Sequence, residues 1–273
     1  MKRFFSILIS FILFVLLTYF SYQTYSSAKE LNRINRAYYE AQTDISDIIK
    51  RKFSSILSTI SLGSIDNKEN LENRLQELKA KRVILKDRAK KDILKVSAVA
   101  LILLLLYFIL DLVTYSLLLG LSSLITLSFG VVTPILMIVI HKYIQYLGDI
   151  VLSFESKTIF DTIKHLYNSH NYPVAITILL FSIIVPFFKT ITMIIISITK
   201  EFHISKRVLN IFKHLGKWSM LDVFVVSLLL VYLSMGSSQN SYSEIENGLY
   251  LFLIYVILSI FTSLSTERLL SAK

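Results

Sequence analysis

The chain has 273 residues, of which 54% are hydrophobic and 18% charged, with a formal net charge of +10. Soluble domains carry about 45–50% apolar and about 25% charged residues, so a soluble class is excluded. The basic excess reads as topology and contact with anionic headgroups rather than nucleic-acid binding. The absence of cysteine excludes disulfides, thiol catalysis and cysteine-based zinc or iron–sulfur sites. The five histidines show no metal-ligand spacing.

Residues 4–20 are uncharged and apolar and follow Met1-Lys2-Arg3. They predict an N-terminal transmembrane anchor over residues 1–20, with its start in the cytoplasm. A cleaved signal peptide is the alternative, with Ser26-Ser27-Ala28 as small residues before a cut. On either reading, residues 21–95 are exported. That segment holds 16 basic and 10 acidic side chains. Leu31, Ile34, Tyr38, Ala41, Ile45 and Ile48 recur at 3-4 spacing, which favours coiled-coil packing. A break follows at Gly63 to Asn67. Asp66 with Glu69 has capping-box spacing and opens a second helix, with Leu71, Leu75, Leu78 and Leu85 on one face. The expectation is an antiparallel helical hairpin. It is either a plain spacer or an arm for docking or for pairing with a second copy.

Residues 96–140 are almost continuously apolar. A bilayer core of about 30 Å takes about 20 residues per helix, so the run divides near 112–115 into a transmembrane helix over 96–113 and another ending at Pro134. Asp111 falls at the turn between them, or else it is an intramembrane acid. Alternation from Met137 to Tyr143 predicts a short strand, and Asp149 to Phe154 a second. Ile159, Phe160, Ile163, Leu166 and Tyr167 share one face of an amphipathic helix over 158–167. It either lies in the membrane interface or packs on its own strands.

The fourth crossing spans 173–199 and contains Pro186 and Lys189. The basic stretch 200–217 reads as cytoplasmic. The fifth crossing spans 218–236, and the stretch 237–247, with Glu244 and Glu246, lies outside. A sixth covers 248–266, which leaves both termini inside. The basic run from Lys79 to Lys95 falls outside in this topology, against the positive-inside tendency.

Residues 213–236 read KHLGKWSMLDVFVVSLLLVYLSMG. Gly216, Trp218, Ser219, Met220, Leu221, Asp222, Val223 and Phe224 resemble the signature of the paraquat-inducible protein A family. Pro134, Thr158-Ile159, Ser182 to Pro186 with Lys189, and the pair Gly236 and Gly248 follow in family order. The resemblance covers about residues 114–270, one four-helix module, and sets the module boundaries at 114–273. Typical members have two modules, each after a four-cysteine zinc ribbon. This chain has one module and no ribbon, the anchor and hairpin standing in its place. Where the family often has a lysine two residues before the position of Gly236, this chain has Ser234.

The expected fold class is an all-α polytopic membrane protein with about six transmembrane helices, an exported helical hairpin and a small external β element. The resemblance implies a multi-pass component of the bacterial inner membrane in an intermembrane lipid-trafficking system. Its partners would be membrane lipids and a periplasmic MCE-type carrier, its contribution envelope integrity, and a lipid-sized groove would lie in the four-helix module. The alternative is a membrane sensor or scaffold that uses the hairpin. The candidate lipid- or partner-binding residues are Lys189, Pro186, Trp218, Ser219, Met220 and Asp222. Asp222 either caps its helix beside an interfacial Trp218 or pairs with Lys189 or a partner. Lys189 either snorkels to the interface or faces inward. No nucleophile–base pair, phosphate loop, metal cluster or cofactor motif is present, so catalysis is not expected.

Overall fold

The computed structural model describes residues 2–56, 66–144, 148–198 and 241–271. Helix α1 runs unbroken over Lys2–Ile56. The anchor and the first arm of the hairpin are therefore one rod, about 80 Å long at ~1.5 Å per residue. No glycine or proline interrupts that stretch, and nothing else in the sequence forces a joint. Helix α2 spans Asp66–Leu105 and returns alongside α1. Ser27 meets Asp92, Lys95 lies over the Phe20 ring and Arg82 over Tyr39, which fixes the pair as antiparallel.

The two helices meet along a 3-4 rhythm. On α1 the seam passes through Leu17, Ser21, Thr24, Ala28 and Asn35, all buried. On α2 it passes through Leu85, Ala89, Asp92, Val96, Val99 and Leu103, also buried. The expected period is present, but on α1 the buried face is turned slightly from the expected stripe: Asn35 is buried where Ile34 is only half-buried. Small residues on α1 let the backbones approach closely, as membrane helices require.

Helix α2 tightens into a 3-10 turn at Leu106–Phe108. Asp111 follows in extended conformation as the N-cap of α3, Leu112–Val132. Its exposed carboxylate accepts a hydrogen bond from Thr114 Oγ1 at 2.9 Å. The turn reading of Asp111 therefore holds. Strand β1 (Leu136–Ile144) pairs antiparallel with β2 (Gly148–Lys157), with a bulge at Ile140/His141. A third strand, β3 (Ser241–Ile245), pairs with the other edge of β1, giving the order β2-β1-β3. The first two strands are the expected ones, slightly longer. β3 was expected as an outer loop, because Ser241, Ser243 and Glu244 leave its sequence without apolar alternation.

Helix α4 (Ile159–Asn168) begins on a capping box in which Thr158 Oγ1 accepts from the Asp161 N–H. Helix α5 (Tyr172–Leu179) passes through a π-helical turn, Leu180–Ile184, into α6 (Val185–Ile198). The π turn ends just before Pro186, the second proline of that run after Pro173 in the first turn of α5. Pro186 has no N–H for the Ser182 carbonyl, and the Val185 N–H instead reaches the Leu180 oxygen one residue further back. Helix α7 (Asn247–Ser271) lies at the centre against α3. A Cβ on Gly130 would come within 3.0 Å of the Phe252 backbone nitrogen, and one on Gly248 within 2.3 Å of the Thr133 oxygen.

Among the described residues, four helices are long and apolar enough to cross a membrane: Ile7–Gln42, Leu112–Val132, Tyr172–Ile198 and Asn247–Leu269. The protein is a multi-pass, mostly helical membrane protein with a small sheet. Of the six expected crossings, the one over 96–113 is the apolar end of α2 and its turn. That end packs with Leu17, Tyr115, Leu119 and Leu258 in one core. The fifth expected crossing, 218–236, lies outside the described residues.

Candidate functional site

Two polar regions stand out inside this apolar frame. The first lies where α3 starts and α6 and α7 end. Ser116 Oγ is 2.7 Å from both Ser197 Oγ and Thr266 Oγ1. Ser197 and Thr266 also reach the Met193 and Thr262 carbonyls. Three hydroxyl protons serve four contacts, so one contact is always without a proton and the arrangement can rotate. Pro186, Lys189, Thr190, Met193 and Ser197 form the buried face of α6. Lys189 is only 6% exposed, and Thr190 Oγ1 donates to the Pro186 oxygen at 2.9 Å. α6 comes close to α3 at Gly120, where a Cβ would fall 2.7 Å from Ile194 Cγ1. Pro186 and Lys189 thus share one inward face. Trp218, Ser219, Met220 and Asp222 lie outside the described residues, as does any pairing of Asp222 with Lys189.

The second region is a cleft of about 660 Å³ at the opposite end, between the α1–α2 pair, β3 and the start of α7. The helical pair is fastened to the sheet around it. The Tyr39 ring stacks on Phe154 at 4.8 Å. Tyr39, Met137, Val139 and Val151 form a small core, and Asn35 Nδ2 donates to Met137 Sδ at 3.4 Å. Asn247 Nδ2 donates to the buried Ala89 carbonyl at 2.9 Å. Lys86 forms an ion pair with Glu244.

The cleft wall is graded. Arg82, Lys86 and Lys90 occupy one face of α2 at i, i+4 spacing, and Ile93 and Leu94 continue below them. Arg82 lies over the Tyr38 and Tyr39 rings at 5.5 and 5.0 Å. Across the cleft, Glu246 accepts a hydrogen bond from Ser156 Oγ at 2.9 Å. Burial pushes its carboxyl up to about 7, the Ser156 bond pulls it down, and the neighbouring Glu244 charge adds to the rise.

Sequence reasoning did not single out these cleft residues. Glu244 and Glu246 served only to orient a loop, and Lys79 to Lys95 stood as a topological conflict. The i, i+4 ladder Arg82, Lys86, Lys90 was the one readable signal. Among the described residues, no group of three or more His, Asp or Glu side chains converges to hold a metal. The cleft lies at the junction of the helical pair and the sheet, not within the four-helix module where a groove was expected.

The family described as "Paraquat-inducible protein A" matches residues 113–271. That range begins at the first turn of α3 and takes in the sheet, α4 to α6 and α7 to its end. Curated relatives named "Intermembrane transport protein PqiA", from Escherichia coli (strain K12), Escherichia coli O6:H1 and Shigella flexneri, are each 30% identical over 130 residues. The matched stretch is 45% of this chain and 30% of each relative, so less than a third of the relatives' length is covered. No solved structure matches the chain. With more than half of the sequence, α3 through α7, falling within one family's range, the chain belongs to the paraquat-inducible protein A family.

Proposed function

We propose that this chain is an inner-membrane component of an intermembrane lipid-trafficking system, handing lipid to or from a periplasmic MCE-type carrier and so contributing to envelope integrity. The relatives' name, intermembrane transport protein, supports the class. The observation that carries it to this chain is the cleft. It opens where the apolar run of α7 begins, and one of its walls is the helical pair that precedes the family region. A cleft of this size lies within the ~300–1,000 Å³ range of small-ligand sites. In this reading residues 1–20 are the anchor, 21–95 the exported hairpin, 96–113 a crossing and 114–273 the module. The Lys189 face is its inner polar element.

The test is a gene deletion complemented by the full chain, paired with purification of the tagged protein. The expected outcome is raised permeability to detergents and large antibiotics, restored by complementation, with an MCE-type periplasmic protein co-purifying. An intact envelope together with loss of a stimulus response would replace lipid handling with sensing.

A further inference from the structure

The hydrogen bond from Asn247 to the Ala89 carbonyl sets the start of the apolar run of α7 level with Ala89 of α2. Ala89 sits beside Lys90, about one turn above Ile93 and Leu94, and Lys95, paired with Asp92, is the last charge of α2 before its apolar end. A lipid phosphate lies just outside the hydrocarbon, which is the level of Lys90. Above it, Lys86 and Arg82 repeat the positive charge over about 12 Å at ~1.5 Å per residue. Below it, Leu94 is 69% exposed and Tyr250 45% exposed at the mouth of the cleft. The apolar side of α2 then runs on through exposed Leu101, Ile102 and Leu105.

We propose that the cleft binds an anionic glycerophospholipid. Its phosphodiester sits against Lys90 and the Lys86–Arg82 ladder, and its acyl chains leave past Leu94 and Tyr250 into the bilayer. The proposal rests on the lipid-handling reading and names the lipid class for it. Charge balance selects an anion. Lys86 and Glu244 neutralise each other, Arg82 and the exposed Lys90 add two positive charges, and among the described residues that line the cleft Glu246 alone opposes them. Lys90 makes no ion pair among the described residues, so its ammonium is available to a ligand. The position of the ladder also accounts for the basic run on the outer side: those cations face a binding cleft as well as solvent. A zwitterionic lipid would leave one positive charge uncompensated beside Lys90, which weakens it against a net anion.

The test is native mass spectrometry of the full-length protein extracted from bilayers of equimolar phosphatidylglycerol and phosphatidylethanolamine. The expected result is retention of phosphatidylglycerol over phosphatidylethanolamine by at least fivefold. Lys90→Ala should abolish that preference. Lys91→Ala, at the same height but paired with Asp87 on the solvent side, should leave it unchanged. Equal retention of both lipids, or the same preference in Lys90→Ala, overturns the proposal, and does so whether or not the gene complements a deletion. Displacement of the retained lipid by millimolar glycerol phosphate would show that the apolar floor adds nothing, and would overturn the amphiphile assignment. Crosslinking of Lys90 to an acidic protein segment, with no lipid retained, would give the cleft to a protein partner instead.

Discussion

At the scale of single residues, Glu246 and Lys189 carry testable chemistry. Glu246 titrates near 7 in the folded protein, against 4.5 ordinarily, chiefly through burial. A carboxyl whose folded value is raised takes up a proton on folding. Its contribution is therefore most favourable at low pH, declines as pH climbs from about 4.5 to about 7, and is level above that. Thermal melts in detergent between pH 5 and 8 are expected to show this decline, and Glu246→Gln to remove it; a decline that survives the substitution assigns it to another group. Lys189 is buried on the inner face of α6, and we propose that it acts with Asp222. Removing one member of a fully buried pair costs about 3–5 kcal/mol, because the other charge is stranded. Lys189→Met and Asp222→Asn should each impair complementation, and the double variant should be no worse than either single one. Strictly additive losses would separate the two charges and return Asp222 to the role of helix cap. The sequence exposed Lys189 by its rarity in an apolar run. It did not expose Glu246, because a loop glutamate looks solvated until β3 pairs and Ser156 is brought beneath it.

At the scale of elements, the helical pair shows what periodicity conveys and what it leaves out. That Leu75, Leu78 and Leu85 share one helix face was legible, and the buried seam runs on from Leu85 through Ala89, Asp92 and Val96 into the apolar end of α2. Asp92 looked like one charge in a basic run. In the structure it is 1% exposed, accepting from Ser27 Oγ at 2.6 Å and from Lys95 Nζ at 2.9 Å. Hydrogen bonds to a charged group contribute about 1.5–3 kcal/mol. Ser27→Ala is therefore expected to loosen the pair by about that amount, and Asp92→Ala by somewhat more because Lys95 also loses its partner. Limited proteolysis of the α1–α2 pair measures this. Since the two residues share one bond, the double substitution should cost less than the sum. Additive losses would mean that the 2.6 Å contact contributes no coupling. The π turn before Pro186 was not legible in the sequence, since proline declares the missing N–H but not how the helix absorbs it.

At the scale of the whole molecule, the described ends fix a parity that hydropathy alone could only suggest. The start of α3 and the ends of α6 and α7 meet through Ser116, Ser197 and Thr266. The end of α3 and the start of α7 meet through the Gly248 N–H, which donates to the Pro134 oxygen at 2.8 Å. α6 therefore leaves the bundle at one end, and β3 re-enters it at the other. The helical pair and the sheet share this second end, held by Asn35–Met137 and Lys86–Glu244. If the hairpin is exported, the sheet, the α4–α5 corner and the cleft are outside with it, and the hydroxyl cluster lies on the cytoplasmic side. The chain has no cysteine, so single cysteines report without background. Ser169→Cys, exposed at the end of α4, is expected to react with an impermeant maleimide in cells with a permeable outer membrane. Ser205→Cys, in the basic stretch after α6, should react only after the inner membrane is opened. Labelling of Ser205→Cys from outside, with Ser169→Cys protected, would invert the molecule. The cleft would then face the cytoplasm, where no periplasmic carrier can reach it, and the run Lys79 to Lys95 would be an ordinary positive-inside segment rather than the wall of a lipid site.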